Sequence, residues 1–150
     1  MILNIILGFI IPWIFGIMLY FKDKKTVLII APFSSILAYI TNEFCFHYNF
    51  WRVIPINVND DYTSISVNLG LYSVLGCYLI YCISRKYLKP YLIILIFTVA
   101  TTALEYLGLL FHLVIYGNGW NIGWTFLSYL IPYLLIYCYY LDLRCVKVFE

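Results

Sequence analysis

Residues 2–25 read ILNIILGFIIPWIFGIMLYFKDKK, an apolar run of membrane-spanning length that stops abruptly on lysines. The same punctuation returns twice. Arg85, Lys86 and Lys89 follow the third apolar run of the chain, and Arg144 and Lys147 follow the fifth, so that of the nine basic residues Arg52 alone lies elsewhere. Lys and Arg accumulate on the cytoplasmic side of a membrane, so this alternation predicts an all-α integral membrane bundle of five transmembrane helices, N-terminus outside and C-terminus inside. The expected spans are about 2–21, 26–46, 63–84, 90–116 and 122–143, forming one transmembrane domain over residues 1–150.

Composition agrees with that solvent. Hydrophobic residues make up 65% of the 150 and charged residues 11%, far below the roughly 25% charged of soluble domains, and the mean hydropathy is +0.94. The net charge of +2 comes from clusters too short for nucleic acid, which excludes that partner and leaves the lipid bilayer. The five cysteines lack C-x-x-C spacing and read as small packing residues. Nothing basic precedes the first span, so it reads as a retained helix and not a cleaved signal.

Small residues mark helix faces. Asn4, Gly8, Pro12 and Gly16 recur every four residues in span one, while Ser66, Gly70, Ser73, Cys77 and Ser84 follow nearly a 3.5-residue repeat in span three. Both read as packing faces, open to another helix, a second copy of the chain or a membrane partner. Tyr48 and Trp51 read as interfacial aromatics, and the external connection through Pro55, Asp60 and Asp61 reads as a solvated loop. Gly117-Asn118-Gly119-Trp120-Asn121 reads as a tight external turn, too slight for a phosphate loop. Tyr129, Tyr133, Tyr137 and Tyr140 form a stripe in span five expected to pack or to meet headgroups.

Glu43 and Glu105 are the acids set well inside apolar spans, and each precedes a histidine on its own helix, His47 or His112. Separations of four and seven residues return to one helix face. Counting ~1.5 Å per residue from the cytoplasmic ends puts Glu43 at ~26 Å, Glu105 at ~22 Å and the histidines near ~32 Å, all in the outer half. Thr98, Thr101, Glu105, Gly108 and His112 make a polar stripe that must face protein, because an unpaired ionisable group in hydrocarbon costs several kcal/mol.

Three readings fit these residues. In the first, Glu43, His47, Glu105, His112, Thr98 and Thr101 tie helices together; in the second they form a proton or cation path opening outward, with Glu105 protonatable and His112 at its entry. The third is a catalytic or metal site, against which stand the absence of a Glu-x-x-His or H-E-x-x-H pattern and of any cytoplasmic catalytic loop. No catalytic residue, metal ligand set or cofactor is assigned. Both segments carry Glu, an aromatic, Phe-His and then a Trp-bearing outer turn, which suggests two parallel helical hairpins whose acids meet on a pseudo-two-fold axis.

Ala103-Leu104-Glu105-Tyr106, the turn with Trp120 and Trp124, and the segment from Ser128-Tyr129 to Pro132 carry a family likeness, echoed from Tyr48-Asn49-Phe50-Trp51 to Pro55. The chain resembles a group of small multi-pass membrane proteins of spore-forming Firmicutes, over about a third of its length. In that group Pro often follows the acid, where Tyr106 stands here. The resemblance implies a bacterial cytoplasmic membrane and supplies no substrate or catalytic residue. The expected function is a non-catalytic membrane component acting through helix or partner contacts; the alternatives are a small proton- or cation-linked transporter using Glu43 and Glu105, and a membrane-embedded enzyme or metal site.

Overall fold

Asp23 separates the first helix from the second. It leaves the helical region, at φ −152° and ψ 78°, and its carboxylate accepts from the Thr26 N–H (3.0 Å) and the Thr26 hydroxyl (2.8 Å), capping the second helix. The computed structural model describes residues 2–54 and 60–149, with side chains for 4–54 and 64–149. The order is α1 (residues 2–22), α2 (Lys24–His47), β1 (Trp51–Val53), α3 (residues 60–84), α4 (Pro90–Leu110), β2 (Val114–Tyr116) and α5 (Ile122–Cys145). Pro55 lies outside the described residues. Asp60 and Asp61 belong to the start of α3, not to a loop, and their side chains lie outside the description.

Lys24–His47, Ser64–Ser84, Pro90–Leu110 and Ile122–Cys145 are long and apolar enough to cross a membrane, whereas the apolar stretch Ile6–Lys22 is shorter. Their outward faces carry Ile14, Leu28, Ile96, Leu110 and Ile131 more than half exposed, a surface that suits a multi-pass membrane protein. Successive helices run up and down, which gathers the turns at Lys22–Lys25 and Arg85–Lys89 and the end of α5 at one end of the bundle. There Lys24 sits over Tyr20, Lys25 over Phe149, Arg85 over Tyr81 and Arg144 over Tyr140. This is the basic end.

The other end carries a two-stranded ribbon, and the fourth span is shorter than the expected 90–116 because of it. Helix α4 stops at Leu110: His112 takes φ +55°, its N–H reaches the Leu109 carbonyl (3.0 Å), and the Leu113 N–H reaches that of Gly108 (2.8 Å). These two bonds satisfy carbonyls that the last turn would orphan, the Schellman arrangement. Helix α2 ends identically at Asn49, φ +52°, with Phe50 N–H on the Cys45 carbonyl (2.9 Å). Each chain segment then enters a strand, and β1 pairs antiparallel with β2 in the register Trp51 with Tyr116, Arg52 with Ile115 and Val53 with Val114. The echo between the segments is therefore a repeated helix stop and strand.

Helix α3 is central and packs on α1, α2, α4 and α5, while α2 and α4 do not meet among the described residues. Near the basic end the interior is mainly apolar: Leu19, Ile30, Leu79 and Ile80 are fully buried, packed with Ile93, Ile94 and Ile136, and the buried Thr26 hydroxyl is satisfied by Asp23. Toward the ribbon end it turns polar, with Ser34, Asn42, Ser64, Asn68, Ser73, Thr98, Thr101 and Thr125 buried. The small-residue faces of α1 and α3 meet each other inside the bundle, so they are not free for a second copy. A Cβ on Gly70 would stand 2.0 Å from the Gly8 carbonyl oxygen and 2.5 Å from Phe9 Cα, which allows only glycine there.

Both facing stretches are π-helical, Ile6–Ile10 in α1 and Asn68–Tyr72 in α3. A π-turn displaces carbonyls from the regular ladder. Two of them take side-chain donors: the Leu69 carbonyl accepts from the Trp13 indole (2.9 Å) and the Asn68 carbonyl from the Ser73 hydroxyl (2.8 Å).

Candidate functional site at Glu105

Glu105 stands near the ribbon end of α4, where the hydroxyls of three other residues converge on its carboxyl. Tyr116 of β2 donates to Oε1 at 2.7 Å, Thr125 of α5 approaches the same oxygen at 3.2 Å, and Tyr129 donates to Oε2. The turn from Gly117 to Asn121 makes this convergence possible, since it folds β2 back against α5; Asn121 caps that helix by accepting from the Gly123 N–H (2.9 Å). Thr125 and Tyr129, four residues apart, then lie on one face.

Proton inventory orders the network. An indole N–H can only donate, so Trp120 donates to Thr125 Oγ1 (2.9 Å), Thr125 to the Tyr116 oxygen (2.6 Å) and Tyr116 to Glu105. On the other side Tyr129 gives its one proton to Glu105, so the Tyr72 hydroxyl, 2.8 Å away, donates to Tyr129. Two chains of donors end on one carboxyl. Burial pushes the Tyr116 hydroxyl above its ordinary pKa, the Glu105 charge adds to that and the Thr125 hydrogen bond opposes it, which keeps Tyr116 a donor.

Glu105 lines a cavity of about 360 Å³ bounded by α1, α3 and α4 and roofed by the ribbon. Most of the lining is apolar, including Leu7, Val67, Leu71, Leu104 and Leu107; Asn42, Tyr72, Thr101 and Tyr129 supply polar groups. A second space, about 30 Å³, lies beyond Tyr72 and Tyr129 among Ser34, Thr41, Asn42, Ser128 and Tyr133. That volume suits about one water. The Ser34 hydroxyl, 2% exposed, faces it with no protein partner among the described residues.

The six polar residues expected to form one site are only partly gathered. Thr101 joins Glu105 in the cavity wall, bonds the Phe97 carbonyl and lies 3.1 Å from the Tyr133 hydroxyl. Thr98 is fully buried and returns its hydroxyl to the Ile94 carbonyl (2.9 Å), satisfied within its own helix. His112 is exposed and lies past the end of α4, so the seven-residue spacing from Glu105 does not share a helix face. His47, the last residue of α2, is exposed and edge-on to Tyr48. Glu43 is half-buried on α2 and outside the cavity lining; α3 and α5 intervene between α2 and α4. Among the described residues no group of three His, Cys, Asp or Glu side chains assembles.

Sequence reasoning missed Tyr72, Tyr116 and Thr125, and read Tyr129 as a packing or headgroup residue. The spacing of Thr125, Tyr129 and Tyr133 was the available signal, a polar stripe on α5 matching that on α4. No family model, curated protein or solved structure matches the chain.

Proposed function

We propose that the chain is a non-catalytic multi-pass protein of a bacterial cytoplasmic membrane, N-out and C-in, that holds a small ligand at Glu105 in the outer half of the bilayer. The observation that carries this reading is the convergence of two donor chains on a carboxyl in a cavity wall. Such preorganisation of a polar group in an otherwise apolar pocket is what fixes a ligand's orientation. The collection of basic residues at one end supports the orientation, and the resemblance to membrane proteins of Firmicutes supports the compartment. The buried apolar cluster at the basic end favours a binding site over an open conduit. Its partner is the bilayer; a second copy or membrane partner would meet exposed apolar flanks, since the small-residue faces are occupied within the chain.

The test is the small-molecule content of the full-length protein, extracted in mild detergent, denatured and analysed by mass spectrometry. The wild type is expected to retain a compound at about one equivalent that an equally folded Glu105→Gln preparation lacks. Identical content, with no compound shifting the melting temperature of one protein and not the other, overturns the reading. A second reading, a proton-linked carrier, is favoured by the ordered hydroxyl chains at Glu105. In vesicles loaded with a pH-sensitive dye, Glu105-dependent proton flux would select it over simple binding.

A further inference from the structure

Resting on the reading of Glu105 as a ligand site, the geometry points to the ligand's class: a membrane-borne amphiphile with an ammonium head and an apolar chain, entering sideways between α1 and α4. Three observations carry this.

Access is lateral. Trp51, Val53, Leu113 and Val114 roof the cavity, Trp51 being 6% exposed, and the ribbon is tied to α1 by the Asn4 amide on the Ile54 carbonyl (3.2 Å). Helices α1 and α4 both line the cavity yet do not pack against each other among the described residues. The gap between them is flanked by Leu7, Leu104, Leu107 and Phe111, each at least 46% exposed on faces that suit hydrocarbon. An apolar chain would cross this rim without losing its solvent.

The head must be cationic. A carboxylate offers about four lone-pair positions; Tyr116 and Tyr129 fill one each and Thr125 gives its proton to Tyr116, so a position stays open on each oxygen. Among the described residues no basic side chain is in the cavity lining, and Glu105 meets hydroxyls alone. A ligand that removes this group from water has to supply both a donor and a positive charge, which an ammonium does and an alcohol or carboxylate does not. The tail has room. Most of the cavity wall around the carboxyl is apolar, and at Gly108 a Cβ would meet nothing nearer than Val114 Cγ2 at 3.4 Å.

The experiment uses full-length protein in nanodiscs of zwitterionic lipid and measures retention of dodecylamine, dodecanol, dodecanoate and propylamine by native mass spectrometry, with melting temperature alongside. Dodecylamine is expected to bind at least about tenfold more tightly than dodecanol or dodecanoate, and to lose that margin in both Glu105→Gln and Gly108→Leu. Gly108→Leu narrows the cavity and removes none of the hydrogen-bonding groups, so the test survives a poorly folded Glu105 variant. Equal binding of dodecanol or dodecanoate overturns the cationic head. Propylamine binding as tightly as dodecylamine overturns the lateral amphiphile while Glu105 still stands as a site. If no compound distinguishes wild type from Glu105→Gln or Gly108→Leu, both the amphiphile and the ligand reading fail.

Discussion

The two ends of the bundle solve the same packing problem with different chemistry. At the basic end Leu19, Ile30, Leu79 and Ile80 pack into one buried apolar cluster, whereas the ribbon end fills its interior with Asn, Ser, Thr and Tyr and leaves a cavity beside a carboxyl. An apolar core has no directional demand, so it can close completely. A polar interior must match each donor to an acceptor, and the irregular backbone that does so here, two π-turns, two helix stops and a ribbon, leaves room between elements. Close apolar packing and a cavity with polar walls thereby lie at opposite ends.

The sharpest way to break that division is to hollow the apolar end. Leu79→Ala removes a fully buried side chain from α3 at its meeting with the other helices and is expected to destabilise by about 2–5 kcal/mol, read by reversible unfolding in mixed micelles. If the loss is no larger than that of Tyr72→Phe, the ends do not differ as described. Gly70→Ala comes next, at about 1–3 kcal/mol, because its Cβ would strike the backbone of Gly8 and Phe9, atoms that move only if α1 shifts as a whole. Increased labelling of a cysteine introduced at Leu7 would report that shift.

Glu105→Gln should act more gently on stability, at about 1–2 kcal/mol. The amide can still accept from Tyr116 but turns an N–H toward Tyr129, leaving one donor facing another. Preserved melting with lost ligand retention would sharpen the contrast between the ends; a collapse of the fold would make Glu105 a structural tie. The smallest effect is Tyr116→Phe. The Tyr116 pKa is raised on folding, so its contribution is full below the unfolded value of about 10 and declines as pH rises beyond it. The wild type should therefore lose more stability above about pH 10 than Tyr116→Phe does, and parallel pH profiles would refute the assignment.

The sequence made the helices legible and the ribbon end much less so. Lysine and arginine clusters announce turns at the basic end, and the beginnings of α2, α4 and α5 come from Asp23, Pro90 and Asn121 in their capping roles. The ends of α2 and α4 carry no such sign: their left-handed residues are Asn49 and His112, and the glycines at 117 and 119 imitate a helix stop well beyond the true one. Glu105 could be found because a carboxyl in an apolar run must be satisfied. Its partners could not, since periodicity along one helix says which residues share a face and not what that face meets. Tyr116 and Tyr129 also look like interface aromatics, and their hydroxyls gain meaning only when the turn at Asn121 folds them over α4.

Each of the paired π-turns amounts to an extra residue in an α-helical ladder, and one residue is about 100° of helix rotation. Restoring either turn to a regular α-helix by deleting a residue would swing everything N-terminal to it by that angle: Asn4 would leave the Ile54 carbonyl, or Ser64 and Val67 would rotate out of the cavity wall. The two turns therefore set the phase of α1 and α3 and act as a length code for the site, one that tolerates substitution along either helix far better than the loss of one residue.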